Sequence, residues 1–522
     1  MAIRRRTVIL LGSLLLVVIL GVAGFIYLLT VPPPLERWLQ ARVLLALREH
    51  YQADVQLQNL RITLIPEFYA TADNFVLPNR CCADLPPLIA VKHLAVRSNF
   101  FALLRTPVHV SSVTLDGMEI KVASKGRKQA ETGSSPPGST SKPKQHTRLA
   151  NFVIDRVEAG GTMLYILRKN PESEPMLFEL RKLALRAAGV GQPMTFTAEL
   201  TNPTPPGLIE TKGHFGPWNF DEPSATPVDG NYDFQHADLS VFNGISGILS
   251  SQGKFTGSLH NIVVDGATDV PDFQLDRGGQ PVHLTTTFHA LVDGTNGNTY
   301  LQPVNAHFLN SNVITRGDVA SKPGQKGKTI TLAVDMSKAY VQDVLALAAK
   351  GAPVLTGNMA LKANLLLPPG KESVLQKMQL NGTFDVSNAK FTQEKLKSAV
   401  TELSRRGQGK PNDTSIDNVA SEFRGDFTLR NSTITFGQLQ FMTPGAAAQV
   451  KGSYGISSSQ LNFVGDVSLD ATVSHTMTGA KKVLLTPFDP MFKKHGAGTY
   501  LPVDISGTRE HPEVKVQWKK LF

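Results

Sequence analysis

From about residue 52 onward, apolar and polar residues alternate with a period of two over long stretches. In the clearest run Leu461, Phe463, Gly465, Val467, Leu469, Ala471 and Val473 are separated by Asn462, Val464, Asp466, Ser468, Asp470 and Thr472, with Val464 the only apolar exception. Successive side chains of a strand point to opposite faces, so this spacing predicts a strand with one dry and one wet face. The pattern returns in Met378, Leu380, Gly382, Phe384 and Val386, in Phe427 and Leu429, and in Ile434 and Phe436. Val113 and Leu115, followed by Met118, Ile120 and Val122, repeat it, with Asp116-Gly117 offering a turn. The fold class expected is mainly β (α+β), built on a long, mostly antiparallel sheet.

Helical periodicity is sparse, and it punctuates the strands instead of alternating with them, which argues against a doubly wound α/β fold. Residues 339–350, with Val341, Val344, Leu345, Leu347 and Ala348, read as a helix ended by Gly351 and Pro353. Residues 392–406 read as a second, and 476–494 as a third, broken near Pro487 and Pro490. Each is expected to cap an edge or end of the sheet.

Residues 8–29 carry no charge and directly follow Arg4, Arg5 and Arg6. As a helix the run is roughly 33 Å long at about 1.5 Å per residue, enough to cross a hydrocarbon core of about 30 Å. The arginines lie on one side only, so the N-terminus is expected in the cytoplasm and the bulk of the chain outside it. A cleaved secretory signal is the competing reading. Its apolar core is shorter, and here the run continues through residues 24–29, beyond the small residues Gly21 and Ala23. Pro32-Pro33-Pro34 ends the helix, and residues 35–51 form an amphipathic stripe that either lies on a membrane surface or plugs a domain end.

The length, 522 residues with 41% apolar content, allows a sizeable core. Residues 126–147, rich in Ser, Pro, Gly and bases, cannot bury enough apolar area to offset their ordering entropy and read as a disordered linker. The expected organisation is a tail (1–7), an anchor (8–29), a helix plus β unit (30–123), the linker (124–148), a β region (149–243) and a C-terminal β region with capping helices (244–522). The net charge of +10 is concentrated in the N-terminal arginines and in Lys125 to Arg148, so it makes no stripe on a folded surface and argues against nucleic acid. The two cysteines, Cys81 and Cys82, are adjacent and close no useful loop.

Signatures of enzymes and metal sites are lacking. Gly327-Lys328-Thr329 has the tail of a phosphate loop without the glycine required at position 322. No HExxH, GxSxG or SxxK constellation occurs. His283 and His289 fall on one face of one expected strand but about 20 Å apart, too far to share a metal. Asp293-Gly294-Thr295-Asn296-Gly297-Asn298 has the look of a calcium loop but lacks the later bidentate acid, and a hairpin turn accounts for it. Residues 404–410, Ser-Arg-Arg-Gly-Gln-Gly-Lys, suit either lipid phosphates or the C-terminal dipole of a helix. No catalytic residue, cofactor or metal is expected.

Leu60-Arg61-Ile62-Thr63-Leu64-Ile65-Pro66 and Val113-Thr114-Leu115-Asp116-Gly117-Met118-Glu119-Ile120, after an N-terminal anchor, resemble the start of the bacterial AsmA family. Residues 244–251 through Val264-Asp265-Gly266, residues 292–297, residues 404–410, and residues 496–503 with Gly507-Thr508-Arg509 resemble AsmA-like C-terminal regions more strongly. The resemblance covers about two thirds of the chain, and 123–230 is the part least like the family. It implies a single-pass bacterial inner-membrane protein with a periplasmic bulk, acting in outer-membrane biogenesis and related to bridge-like lipid-transfer proteins. In those a curved β sheet forms a trough with an apolar inner face, and the partners are membrane phospholipids. The lipid-facing candidates are Phe384, Phe427, Phe436, Phe463, Val467 and Leu469, which an ordinary dry core explains equally well from the pattern alone. The alternative function is a non-catalytic scaffold that influences outer-membrane protein assembly or protein targeting to the membrane, with envelope assembly proteins as partners.

Overall fold

A computed structural model of the protein describes residues 41, 45, 54–63, 67–79, 85–99, 102, 108–123, 152–167, 175–189, 193–219, 222–275, 279–322, 325, 327–478, 486, 489–493 and 496–517. The expected anchor (8–29), the adjacent cysteines and the linker (124–148) lie outside them. Among the described residues no helix is long and apolar enough to cross a membrane. The protein is mainly β and mostly antiparallel, with few helices. It divides into two compact units, the first formed by 1–234, 254–262 and 293–296, the second by 235–253, 263–292 and 297–522.

The first unit contains β1 (Gln56–Thr63), β2 (Phe68–Leu77), β3 (Ile89–Ser98), β4 (Val108–Asp116), β5 (Glu119–Ala123), β6 (Phe152–Leu167), β7 (Met176–Gly189), β8 (Met194–Pro203) and β9 (Pro206–Phe215). β10 (Pro227–Asp238) follows, and has residues in both units. β1, β2 and β3 pair in antiparallel succession, and so do β6, β7, β8 and β9. The expected turn at Asp116-Gly117 is a kink instead. β4 and β5 both lie between β3 and β6, with Asp116 opposite Gly160 and Glu119 opposite Met163, so one register continues past the break. Gly117 (φ +63°) and Gly161 (φ +60°) stand at the same level, and the left-handed backbone they adopt without a Cβ penalty lets two adjacent strands bend together. β6 runs parallel to β4 and β5, the exception to the antiparallel pattern. A parallel return needs a crossover of a dozen or more residues, and β5 and β6 are separated in sequence by positions 124 to 151. The core of this unit consists of small clusters, such as Leu57, Leu60, Ala70 and Ala72, or Val91, Met118 and Ala159.

The second unit contains β11 (Ile245–Ser246), β12 (Ile248–Ser258), β13 (Asn261–Leu275), β14 (Val282–Val292), β15 (Thr299–Phe308), β16 (Ser311–Ser321), β17 (Lys328–Tyr340), β18 (Leu355–Leu367), β19 (Gln379–Phe391), β20 (Ser421–Arg430), β21 (Thr433–Thr443), β22 (Ala446–Gly455), β23 (Leu461–Leu469), β24 (Thr499–Gly507) and β25 (Pro512–Val516), although β12 and β13 also give residues to the first unit. From β14 to β25 consecutive strands pair in antiparallel fashion. Each pair from β14–β15 to β21–β22 carries a register shift, and β22–β23 to β24–β25 carry none. A bulge bends its strand and sharpens the right-handed twist, so repeated bulges coil this sheet strongly.

Two of the three expected helices form close to their expected bounds, as α1 (Val341–Ala348) and α3 (Glu394–Gly407), with a short α2 (Val374–Lys377) between them. Much of 476–494 lies outside the described residues; those described include the end of a turn at Thr476 and a single helical turn, α4 (Asp489–Phe492). The connections bearing α1, α3 and α4 leave the sheet along one rim, formed by the C-termini of β17, β19 and β23. The opposite rim carries the tight Asn431-Ser432 turn, whose residues both have positive φ, and the α2 connection. α1 packs its apolar side onto the sheet, with Val344 and Leu347 against Val282, Phe308, Met336 and Ala339, and Leu345 against Val386 and Ala389.

Asp343 ties α1 down. Its Oδ2 accepts from Asn310 N–H (2.9 Å) and Ser311 Oγ (2.8 Å), and Ser311 Oγ in turn accepts from Tyr340 N–H (2.9 Å). Leu309, beside this network in the β15–β16 turn, holds a φ of +51°, a conformation that a branched side chain adopts only under constraint. Asp343→Ala is expected to cost about 1–3 kcal/mol, because the buried Ser311 hydroxyl and the part-buried Asn310 N–H lose their acceptor. Asp343→Asn keeps an oxygen there and is expected to lose less than half as much. Urea midpoints of the three proteins check both expectations.

Candidate functional site

Register places all six lipid-facing candidates on one face of the second unit. Leu380 faces Leu429, Gly382 faces Phe427, and Phe384 faces Gly425 across β19–β20. Phe436 faces Gly452, which faces Phe463, and Phe463 faces Ile505 across β21–β24. Val467 lies between Ala448 and Leu501, and Leu469 between Ala446 and Thr499. Opposite Leu332 and Met336 on β17 stand Leu365 and Leu361 of β18, and Leu361 faces Phe384, so the apolar face continues into β17.

The four candidate phenylalanines touch in a chain. Ring centroids are 5.9 Å apart for Phe463–Phe436, 6.2 Å for Phe436–Phe384 and 6.2 Å for Phe384–Phe427, in tilted and edge-on arrangements. Phe436 and Phe384 stand two strands apart, with Gly425 facing Phe384 from the strand between them, while Phe436 and Phe463 meet over Gly452. At both glycines an added Cβ would run into the backbone of the adjacent strand, at Gln438 and Leu439 for Gly425 and at Asn462 and Phe463 for Gly452, so glycine at these apolar positions lets the strands approach. A second aromatic row, Phe391–Phe423–Phe441 with centroids 6.1 and 5.0 Å apart, lies nearer the helical rim and was not among the candidates. Phe423 shares parity with Phe427. Phe391 and Phe441 reach the face only because register shifts after Val386 and after Phe436 exchange odd and even positions.

This face is neither bare nor sealed. Phe427 (9%), Phe463 (8%) and Leu469 (7%) are buried, while Phe384, Phe436 and Val467 are half-buried. Among the described residues the largest fully buried side chains are Val55 and Val270, and no leucine, isoleucine, methionine or phenylalanine is fully enclosed. A closed sandwich core encloses many such side chains. Both larger apolar clusters of this unit, around Met336 and around Val386, lie beneath α1, and away from it Leu332, Leu365, Ile434, Leu461 and Ile505 stay half-buried.

The opposite face is polar and carries several charge pairs. His283 and His289 do share that face, and each meets an aspartate of β13, Asp269 and Asp265 (2.5 and 2.7 Å). Arg424 meets Asp385 at 3.4 Å, and Lys362 meets Asp335 at 4.0 Å. Burial, followed by the charge of Asp466 and a hydrogen bond to it, pushes the Tyr500 phenol up. The basic run after Ser404 is engaged in the cap, since Ser404 Oγ donates to Pro444 O, Arg405 Nε to Ile416 O and Arg406 Nε to Glu402. Ser474 N–H and Oγ donate to Asp489, joining the turn at 474 to α4; burial alone would raise that carboxyl, but these bonds outweigh it and hold it below the usual range.

The other sequence motifs are local structure. Asp293 accepts from Thr295 N–H, Thr295 Oγ1 and Asn296 Nδ2, which makes residues 293–296 a turn. The Lys328 ammonium donates to Gly297 O at the start of β17. Among the described residues no group of three or more His, Cys, Asp or Glu is placed to hold a metal ion. No protein-family model matches the chain, and neither a curated protein nor a solved structure matches it.

Proposed function

We propose that the apolar face of the second unit binds the acyl chains of phospholipids and lets them move along it, in an inner-membrane-anchored periplasmic protein of outer-membrane biogenesis. The observation that carries this reading is an extended apolar sheet face, lined by phenylalanine and aliphatic side chains, on which Phe384, Phe436 and Val467 stay half-buried and, among the described residues, no second sheet of its own unit is packed. Acyl chains can occupy such a face as a second sheet would. Each buried methylene contributes about 0.8 kcal/mol, so two tails are held without a charged site. The anchor, the periplasmic location and the place in outer-membrane biogenesis rest on the apolar run after Arg4–Arg6 and on the resemblance to the AsmA family. Binding of this kind requires no catalytic residue.

A photoreactive residue in living cells tests the proposal. Placed at Phe436 or Val467 it should form adducts with phospholipid, and at the exposed Asn462 on the other face of β23 it should not. Equal labelling at all three positions, or none at any, would overturn the lipid reading and leave the scaffold in its place.

A further inference from the structure

The second unit coils far enough for its two rims to meet. Ile245 and Ser246 pair with Leu275 and Gln274, at the end of β13 that belongs to the helical rim. Directly before them, Asn243 and Gly244 reach the α2 connection between β18 and β19, which belongs to the opposite rim. Val374 N–H donates to Asn243 O (2.9 Å), and Asn243 Nδ2 donates to Lys371 O (3.2 Å). Gly244 (φ +114°) lies so close that an added Cβ would stand 3.1 Å from Val374 Cβ.

Between the two sides of this seam the sheet runs without interruption. Thr268 meets Thr286 (2.6 Å) across β13–β14, and β14 to β18 pair in sequence. The strands β13 to β18 therefore form a ring, and their apolar face lies inside it. Phe273 of β13 and Met359 and Leu361 of β18, from the ring's two ends, pack into one cluster with Val282, Phe308 and Met336. α1 adds Val344 and Leu347 to that cluster, so the ring is filled towards the helical rim. Towards the other rim Leu301, Leu332 and Leu365 are half-buried.

The strand pairs from β14 to β18 are held by ladders of hydrogen bonds, whereas the seam is a contact between two connections, made at Asn243 and Gly244 on one side and at Lys371 and Val374 on the other. α2 is braced within its own connection, through the capping box of Ser373 and Gln376 and the bond from Lys377 Nζ to Gly370 O (2.8 Å), so it can leave as a unit without breaking a strand pair. We propose that the contact of Asn243 and Gly244 with the α2 connection is a lateral gate, whose opening admits an acyl chain to the ring section between β13 and β18. The inference rests on the lipid reading above and adds control of access to it.

The gate can be clamped. In a full-length chain with Cys81→Ser and Cys82→Ser, Asn243→Cys and Lys371→Cys are bridged by a short thiol reagent that a reductant cleaves. Phospholipid adducts are then read from a photoreactive residue at Leu365 inside the ring, or at Phe436 outside it. Clamping is expected to abolish adducts at Leu365, to leave those at Phe436 unchanged, and to be reversed by reductant. Val374→Asp, which weakens the seam without a reagent, is expected to raise labelling at Leu365. Adducts at Leu365 that persist under the clamp overturn the gate, as does an unclamped protein that labels at Phe436 and never at Leu365. An unclamped protein that labels at neither position overturns the lipid reading itself.

Discussion

Gly452→Ala is expected to destabilise the second unit by roughly 1–3 kcal/mol, the range for forcing a methyl group into a packed site. A Cβ at this position would lie 2.1 Å from Asn462 O and 2.6 Å from Phe463 Cα, both backbone atoms of the adjacent strand. No side-chain rotation relieves such a clash, so β22 and β23 must separate where Phe436 and Phe463 now touch over the glycine. Gly382 and Gly465 stand in the same situation, with an added Cβ 2.2 Å from Lys362 O and 2.0 Å from Gln449 O. Gly160→Ala in the first unit is the control, because the nearest atom to its Cβ would be Arg181 O at 3.9 Å. Urea midpoints should fall for Gly452→Ala and hold or rise slightly for Gly160→Ala; equal midpoints would show that the glycines of the apolar face are not there to let strands approach.

Which parts of this architecture were legible in the sequence follows from where the chain keeps a strict period of two. β23 was read correctly because its ladders to β22 and β24 have no register shift, so odd positions stay on one face from Leu461 to Leu469. The expected continuation through Ala471 and Val473 fails, since Asp470 N–H donates to Gly445 O, Ala471 N–H to Gly407 O, and the chain is drawn into the cap formed with α3. Phe391 and Phe441 escaped notice because a bulge swaps faces without leaving a mark in local composition. The kink at Gly117 looked like a hairpin turn because Asp-Gly serves either, and the difference lies in β6, a partner more than thirty residues away in sequence. α1 and α3 were legible from apolar spacing and, for α1, from Gly351 and Pro353 beyond its end. The rim-to-rim contact of Asn243 with Lys371 joins residues 128 positions apart and depends on the summed bend of many bulges, which no window of sequence contains.

Val467→Glu and Val464→Glu form the pair that separates an open apolar face from a closed core. The two valines stand three residues apart on β23, so strand propensity and the charge introduced are the same in both variants. Val464 is on the polar face and 37% exposed; its replacement is expected to change stability by no more than about 0.5 kcal/mol. Val467 is half-buried between Ala448 and Leu501 on the apolar face. If acyl chains normally cover it, the empty face is reached by water, the carboxylate stays hydrated, and Val467→Glu folds with a loss of less than about 2 kcal/mol, while a charge in the path of the chains abolishes phospholipid adducts at Phe436. A closed core behaves otherwise. There an unpaired carboxylate costs several kcal/mol, the second unit unfolds or the group takes up a proton, and stability becomes steeply dependent on pH. Denaturation at neutral pH and at mildly acidic pH, together with labelling at Phe436, therefore decides between the two. A folded Val467→Glu protein without adducts supports the conduit, and an unfolded one assigns these phenylalanines to packing alone.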